Sequence, residues 1–299
     1  MNVGLADMNS LIQNAALMKV SAWHKAQGDT VAWFMPLAGA DIVYASRPFP
    51  KKAKLDGYLP ADAILGGTGY DPATRLPMGD LDDWMPDYGL YSNCTQSIGR
   101  LTRGCPRSCP WCVVGPMDGT RVRQVADLAD FDGGFRVMRL LDDNLLALPD
   151  VAIAACEWAL AHKRRLHFDA LDIRLLRDKD LARLLYRASD GDLRFSFDEP
   201  AHESAVREGV ALLKSAGASL THLRFYVLTN FDTTEAEDDY RLDVIRGLGV
   251  RPFVQCFEDD SHPIPQRKRD RRRWANLPQV FTTCSFTDFR ARAGDAATR

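Results

Sequence analysis

The apolar and polar positions change their rhythm near residue 97, which divides the chain into two regions. In the first region, an apolar run at Asn2–Asp7 predicts a strand, and helical spacing over Leu11–Gln27 predicts a helix that ends before Gly28. Further β-type runs follow, at Val31–Phe34, Asp41–Ser46 and Ala63–Leu65. This order predicts a small α/β domain with a parallel sheet over residues 1–92.

The second region alternates short β-type runs with helical segments. The strand candidates are Ile98–Thr102, Val137–Leu141, Leu166–Phe168, Leu193–Phe197, Leu223–Leu228 and Arg251–Cys256. The helix candidates between them are Pro149–Lys163, Asp180–Arg187, Glu203–Ser215 and Thr234–Leu248. Strands that alternate with helices predict a partial or full parallel βα barrel over residues 93–260, followed by a basic C-terminal extension over residues 261–299.

Composition describes an ordinary globular chain, with 46% hydrophobic and 26% charged residues among 299. The formal net charge of −2 gives no general reason to expect nucleic acid or membrane as a partner. No apolar run approaches the roughly 20 residues that cross a bilayer, and no signal-peptide pattern is present. Seven cysteines, three of them within eight positions, favour a reducing cytoplasm over a disulfide framework.

The most specific chemistry lies in the crowded cysteines Cys105, Cys109 and Cys112, spaced C-x3-C-x2-C. A closed structural zinc site needs four protein ligands, usually as two separated pairs, and this loop supplies three. A cubane iron–sulfur cluster held by three thiolates keeps one iron open for chemistry. The loop follows the first predicted barrel strand, so it faces the carboxyl ends of the strands, where barrel active sites lie.

This loop, with Trp111 just before its last cysteine, resembles the signature of radical S-adenosylmethionine (SAM) enzymes. Three further segments are similar to strand ends of such barrels: Leu101–Cys105, Leu141–Asn144 and Val227–Glu235. The whole arrangement is similar to members that carry a Rossmann-like, cobalamin-binding-like domain before a partial (βα)6 barrel. The resemblance implies that Cys105, Cys109 and Cys112 hold a [4Fe-4S] cluster. In that family the open iron binds SAM, whose reductive cleavage gives a 5′-deoxyadenosyl radical that abstracts hydrogen from a substrate.

Two departures from related members narrow the chemistry. The tRNA methylthiotransferases of this group take a second cluster from front-domain cysteines, and this chain has no cysteine before Cys94. Cobalamin-dependent members usually carry Asp-x-His-x-x-Gly in the front domain, where this chain has only His24. We expect His24 on the surface of the first helix. The front domain is therefore predicted to be a cobalamin-like shell without cobalamin.

The resemblance also implies SAM contacts in the first half of the barrel. The neighbourhood of Trp111, including Val114, is expected to contact the adenine, although Trp111 also suits a core aromatic that covers the loop. Asp142, Asp143 and Asn144 follow a predicted strand directly, and their oxygens suit the SAM ammonium. The alternative is that they cap the helix that begins near Pro149.

The second half of the barrel supplies weaker candidates. Ser196 and Asp198 alternate with Arg194 on one face of a strand, and they are candidates for the SAM ribose or carboxylate. Arg174 suits the SAM carboxylate or an ion pair with Asp172, and the sequence leaves both open. Asn230 is a further candidate for the barrel interior, as are Tyr226 and Gln255. No catalytic residue is assigned, because hydrogen abstraction by a carbon radical needs no general base.

The other cysteines are scattered singly, and we expect no auxiliary cluster from them: Cys94, Cys156, Cys256 and Cys284. In an apolar helix or strand, as at Cys156 and Cys256, a cysteine is a small hydrophobe.

The C-terminal extension is basic, with nine Lys or Arg against three Asp over residues 261–299. Most of the excess lies in Arg267–Arg273, beside Trp274. The sequence favours a solvated helical face here over a phosphate contact.

The alternatives to a radical SAM enzyme of unidentified substrate are a nucleic-acid- or nucleotide-modifying enzyme of the same family, or a non-catalytic metal-binding module. For the leading hypothesis the resemblance implies an unidentified substrate and a low-potential electron donor of flavodoxin or ferredoxin type.

Overall fold

The computed structural model describes residues 1–50 and 55–297 of the chain. Residues 51–54 of the predicted front domain and 298–299 of the predicted extension lie outside the described residues. The structure is a mixed α/β protein with parallel sheets, as the strand and helix patterns predicted. It divides into two compact units, Met1–His167 and Phe168–Arg299, a boundary that differs from the predicted domain limits.

The strands of the first unit form three sheets. Their bounds are β1 Asn2–Asp7, β2 Thr30–Trp33, β3 Ile42–Ser46, β4 Ile64–Gly66, β5 Ser97–Gly99, β6 Thr102–Arg103, β7 Arg123–Gln124, β8 Val137–Leu140 and β9 Arg165–Phe168. The strands of the second unit are β10 Leu193–Ser196, β11 Leu223–Thr229 and β12 Arg251–Cys256. The unit boundary falls within β9.

The helices connect these strands and then continue alone to the C-terminus. In the first unit they are α1 Ala15–Ala26, α2 Val114–Asp118 and α3 Pro149–Ala161. In the second unit they are α4 Lys179–Ala188, α5 Glu203–Ser215, α6 Glu235–Gly247, α7 Gln266–Ala275, α8 Pro278–Thr283 and α9 Phe286–Ala297. Within the described residues, none of the helices combines the length and apolar character that crossing a bilayer requires.

The front sheet has the order β2-β1-β3-β4, and all its pairs are parallel. Leu5 pairs with Tyr44 across β1 and β3, and both side chains are buried in one core with Leu17 of α1. The helix begins at its predicted place because the Asn14 side chain accepts a hydrogen bond from the Leu17 N–H at 3.2 Å. A four-stranded parallel sheet with a covering helix therefore forms over the predicted front region.

The next sheet of the first unit has the order β5-β8-β9, and a two-stranded hairpin of β6 and β7 stands beside it. Gly99 ends β5 beneath the fully buried ring of Phe131, where an added Cβ would lie 2.5 Å from the ring. The predicted strand Ile98–Thr102 is thus interrupted at residues 100–101, because the chain leaves β5 and enters the hairpin. The turn into the hairpin brings the chain to the cysteines.

The second unit contains a parallel sheet with the order β10-β11-β12. Burial alternates along β11, where Leu223, Phe225 and Val227 are fully buried and the residues between them are half-buried. Helix α6 begins with a capping box, in which Thr234 and Glu237 bond to each other's backbone N–H groups. The six predicted barrel strands are all present, and their hydrogen bonds divide them into two sheets of three.

Candidate functional site

The cysteine loop begins at Gly104, immediately after β6. Gly104 has φ of +88°, and an added Cβ would lie 2.5 Å from the carbonyl oxygen of Arg121. Cys105 donates its N–H to the Gly119 carbonyl at 3.2 Å, which ties the start of the loop to its end. Only glycine fits this corner without strain, because left-handed backbone and a close carbonyl coincide there.

The three thiols lie close to solvent. Cys105 and Cys109 are half-buried and Cys112 is exposed. The Cys112 N–H donates to the Cys109 carbonyl at 3.0 Å, forming a turn just before α2. Among residues 1–50 and 55–297, no group of three or more His, Cys, Asp and Glu side chains is arranged to hold a metal ion. The three-thiolate ligand set therefore stays a prediction.

Asp142, Asp143 and Asn144 all reach the segment that leads into the loop. The buried carboxylate of Asp142 accepts the N–H groups of Leu101 and Thr102, the latter at 2.6 Å, and also the Thr102 hydroxyl. All three residues follow β8 and form hydrogen bonds to residues about forty positions earlier in the chain. None of the three side chains caps α3.

Asp143 continues the same arrangement one step closer to the cysteines. Its Oδ2 accepts the Gly104 N–H at 2.8 Å, and its Oδ1 lies 3.7 Å from a guanidinium nitrogen of Arg100. The Asn144 amide donates to the Cys105 sulfur at 3.4 Å. Burial raises the pKa of Asp143 to about 6 and also raises that of Asp142. The predicted contact of these residues with the SAM ammonium is not tested by this arrangement.

A chain of ion pairs extends from Asp143 under the loop. Arg100 pairs with Asp118 at 3.1 Å, Arg103 pairs with Asp118 at 2.8 Å, and Arg103 also pairs with Asp82 at 2.5 Å. Burial alone would raise the pKa of Asp118, but hydrogen bonding and charge from Arg103 and Arg100 outweigh it and lower that pKa. Alternating charges thus hold both ends of the cysteine loop, since Arg103 precedes it and Asp118 ends α2.

Lys19 of α1 ends this chain of charges. Its ammonium donates to the Asp82 carbonyl at 2.5 Å, and only 6% of the residue is exposed. Burial, helped by the nearby cations Arg100 and Arg103 and opposed by the charge of Asp82, lowers the pKa of Lys19 to about 8. Lys19 was not among the predicted site residues, because its only signal in the sequence is a charge within the apolar stripe of the first helix.

Trp111 and Val114 are the residues near the cysteines for which the resemblance implies adenine contacts. Trp111 is half-buried in the loop, and Val114 begins α2 one residue after the exposed Val113. Their role towards adenine stays a prediction.

The candidates of the second unit are mostly engaged with their own sheet. Arg174 pairs with Asp172 at 2.7 Å, so the ion pair that the sequence left open is present. Asp198 accepts the Leu228 N–H at 2.8 Å, and burial raises its pKa. Ser196 is half-buried on the same strand face as Arg194, as its spacing predicted.

Asn230 has φ of +69°, and its amide donates to the carbonyls of Phe257 at 2.9 Å and His262 at 3.2 Å. It joins the end of β11 to the segment after β12. The predicted SAM contacts of Ser196, Asp198, Arg174 and Asn230 stay untested.

The expectation for His24 was wrong. Only 3% of His24 is exposed, and its ring nitrogens lie 2.7 Å from Asp29 and 3.1 Å from the Tyr44 hydroxyl. The spacing of α1 did not reveal this, because the two partners that bury the imidazole lie outside the helix. Both nitrogens are therefore engaged within the front sheet.

The basic segment is also less solvated than its composition predicted. Arg271 is fully buried, and its guanidinium lies 2.9 Å from Asp239 and 3.5 Å from Asp238. Lys268 is buried and pairs with Asp238 at 3.0 Å. The acidic start of α6 thus pairs with one face of α7, while Arg269, Arg272 and Arg273 stay exposed on the other.

The remaining cysteines occupy separate places. Cys156 is fully buried in α3, and burial raises its pKa to about 12, which fits the small-hydrophobe interpretation. Cys284 is buried beside Trp274, and Cys94 and Cys256 are half-buried.

Comparisons with known proteins find a likeness among solved structures. The chain matches no model of a known protein family and no curated protein. Among solved structures it is similar to the crystal structure of methylornithine synthase (PylB), with 9% sequence identity and a TM-score of 0.44. The match covers 62% of this chain and 62% of that one, so the chain spans under two thirds of that protein's length. A likeness at this level does not define an activity.

Proposed function

We propose that this protein is a radical SAM enzyme that uses a [4Fe-4S] cluster to cleave SAM reductively and abstract hydrogen from a substrate. One observation carries the proposal: Cys105, Cys109 and Cys112 occupy a single loop that follows β6, shortly after the chain leaves the parallel strand β5. In α/β proteins, ligands bind beyond the carboxyl ends of parallel strands.

The donor set suits an iron–sulfur cluster by its chemistry. Three thiols within eight residues provide soft ligands, and none of the three is buried, so a cluster can reach them. The Asn144 amide already donates to the Cys105 sulfur at 3.4 Å, and hydrogen bonds of this kind orient metal ligands in proteins. Binding requires the loop to bring its three sulfur atoms together.

When bound, the cluster with SAM supplies a carbon radical for hydrogen abstraction. The residues of this chain hold the loop in place for that chemistry. Asp142 fixes Leu101 and Thr102, Asp143 fixes Gly104, and the Arg103–Asp118 pair joins the two ends of the loop. Rigid support of this kind limits the reorganisation that binding costs.

Anaerobic reconstitution tests the proposal. The wild-type protein should bind about four iron and four sulfide per chain and, when reduced, convert SAM to 5′-deoxyadenosine. Cys105→Ala, Cys109→Ala and Cys112→Ala should each abolish that product, while the matched control Cys94→Ala should keep it. One tightly bound zinc with no iron or sulfide would instead support the non-catalytic metal-binding module.

The proposal extends to a front domain that is cobalamin-like in fold but does not hold cobalamin through a histidine. Both nitrogens of His24 already have partners in the first unit, at Asp29 and Tyr44. Cobalamin added to the purified protein should show no histidine-ligated absorption spectrum. A change in that spectrum that His24→Gln removes would contradict this part of the proposal.

The substrate, a flavodoxin- or ferredoxin-type electron donor and a cytoplasmic location remain parts of the proposal. A nucleic-acid substrate is the weaker alternative, because Arg267, Lys268 and Arg271 of the basic segment pair with acidic residues of α6. Binding to RNA or DNA that is lost on neutralising Arg269, Arg272 and Arg273 would revive it.

A further inference from the structure

Three arginines lie side by side on one face of the sheet in the second unit. Arg194 of β10 pairs in register with Arg224 of β11, and Arg224 pairs with Arg251 of β12. Their neighbours along the strands, such as Leu193 and Phe225, are fully buried on the opposite face. The arginine side chains keep 13%, 28% and 28% of their surface exposed, so solvent reaches this face.

One carboxylate serves all three guanidinium groups. Asp192 lies 3.7 Å from Arg194, 3.1 Å from Arg224 and 2.5 Å from Arg251. Among the described residues, Asp192 is the only acidic side chain in ion-pair contact with this set, which leaves an excess charge of two. The Nε atoms of Arg224 and Arg251 are buried, and no described residue accepts a hydrogen bond from them.

A purely structural role does not account for this arrangement. A single carboxylate has about four lone-pair sites, whereas three guanidinium groups carry fifteen N–H donors. Neighbouring strands are about 4.8 Å apart, so the like charges repel each other across the row. A structural clamp would offer about as many acids as cations, as where Arg267, Lys268 and Arg271 of α7 face the three acids Glu235, Asp238 and Asp239 of α6.

We propose that the row of Arg194, Arg224 and Arg251 is a binding site for a phosphate or diphosphate group of a small-molecule ligand. Guanidinium forks bind phosphate oxygens in pairs, and an excess charge of two matches a doubly charged anion. The strand spacing suits neighbouring oxygens or neighbouring phosphates of one diphosphate.

The same face offers a place for the rest of the ligand. Tyr226 and Phe253 stand one step further along β11 and β12, with ring centroids 5.5 Å apart, and Arg224 lies 6.0 Å from the Phe253 ring. The arginine row is five residues before Thr229, the last residue of β11, which corresponds to roughly 16 Å along the strand. An elongated ligand with an anionic end and an apolar body fits this order.

The site is independent of the proposed radical chemistry, because its residues are distinct from the cysteine loop. It is tested with inorganic pyrophosphate and, separately, inorganic phosphate, titrated into metal-free protein by calorimetry at constant ionic strength. We expect saturable binding at one site, weakened at least tenfold by Arg224→Gln. The matched control Arg272→Gln removes an exposed arginine of α7 and should leave the affinity unchanged.

Asp192→Asn should have the opposite effect on affinity, because it removes the carboxylate that competes with the ligand for the three arginines. It should tighten pyrophosphate binding several-fold, whereas removal of a simple clamp would lower thermal stability without improving binding. Should Arg224→Gln fail to fold, Arg251→Lys keeps the charge and loses the fork, and it should weaken binding about threefold or more. Absence of binding to the wild-type protein, or equal weakening by Arg272→Gln, would overturn the proposal.

Discussion

At the scale of single residues, the Asp142 carboxylate holds the chain that enters the cysteine loop. The carboxylate accepts three hydrogen bonds, and burial raises its pKa. The hydrogen bonds that its oxygens accept therefore matter more for holding the loop than its negative charge does. A buried donor without a partner costs about 1–3 kcal/mol. Asp142 therefore positions the chain that enters the loop.

Asp142→Ala should lower the free energy of unfolding by about 3 kcal/mol, because it leaves the Leu101 and Thr102 donors buried without acceptors. Asp142→Asn keeps one acceptor oxygen and should cost less. Denaturant unfolding measures both, with Asp243→Ala on the exposed side of α6 as the control. Equal effects of Asp142→Ala and Asp243→Ala would contradict the positioning role.

The buried ammonium of Lys19 makes the free energy of unfolding depend on pH. Its pKa is lowered from 10.5 to about 8 by burial, so between those values the unfolded chain binds the proton that the folded chain has lost. Stability must then rise with pH across this window, by up to about 3 kcal/mol. In Lys19→Met, this pH-dependent contribution to the free energy of unfolding is absent.

The measurement is the difference in unfolding free energy between wild type and Lys19→Met at pH 7, 8, 9 and 10. The difference should move in favour of the wild type as the pH rises from 8 to 10. A flat difference would show that the Lys19 ammonium is as well solvated when folded as when unfolded.

At the scale of elements, the cysteine loop depends on one glycine corner. Gly104→Ala forces a Cβ into left-handed backbone and to 2.5 Å from the Arg121 carbonyl. We expect a loss of about 2 kcal/mol in unfolding free energy and a fall in iron bound after reconstitution. Gly115→Ala in α2, where nothing lies within 4 Å of the added methyl, should retain both. Normal iron binding by Gly104→Ala would refute the corner's role.

The pairing of α6 with α7 is a second element-scale feature. Arg271→Leu should destabilise the protein by about 3 kcal/mol, because it removes a fully buried cation from Asp238 and Asp239. Arg272 is adjacent and exposed, so Arg272→Leu is the matched control and should change the free energy of unfolding by less than about 0.5 kcal/mol. Thermal unfolding of both variants measures the contrast.

Sequence patterns predicted the elements whose buried faces are apolar and missed those buried by other means. The helix Glu203–Ser215 and the strands β11 and β12 lie where periodicity placed them. Helix α7 was not predicted as a packed element, because two of the side chains on its buried face are Lys268 and Arg271. Ion pairs with residues far away in the chain leave no periodic pattern of apolar positions in the sequence.

The same reason limits what could be predicted of the site. The cysteine spacing and the polar residues after β8 were visible in the sequence. That Asp142 and Asp143 would bond to backbone N–H groups about forty residues away was not, since only the fold brings them together. The arginine row needed the strand register, which places Arg194, Arg224 and Arg251 level with one another.

At the scale of the whole molecule, the chain consists of two units that carry different sets of candidate residues. The first unit carries the cysteine loop, its carboxylate supports and helix α1, which contains Lys19. The second carries the arginine row and the α6–α7 pairing. The proposed cluster site and the proposed phosphate site can therefore be tested by separate variants and separate readouts.

The supports of the cysteine loop come late in the order of synthesis. Cys105, Cys109 and Cys112 leave the ribosome before Asp142, Asp143 and Asn144 have been translated. In a nascent chain that ends before residue 142, the N–H groups of Leu101, Thr102 and Gly104 lack the carboxylates that accept them in the folded protein. Under the proposed function, we therefore expect a cluster to be inserted only after Asp142, Asp143 and Asn144, which follow β8, have been translated.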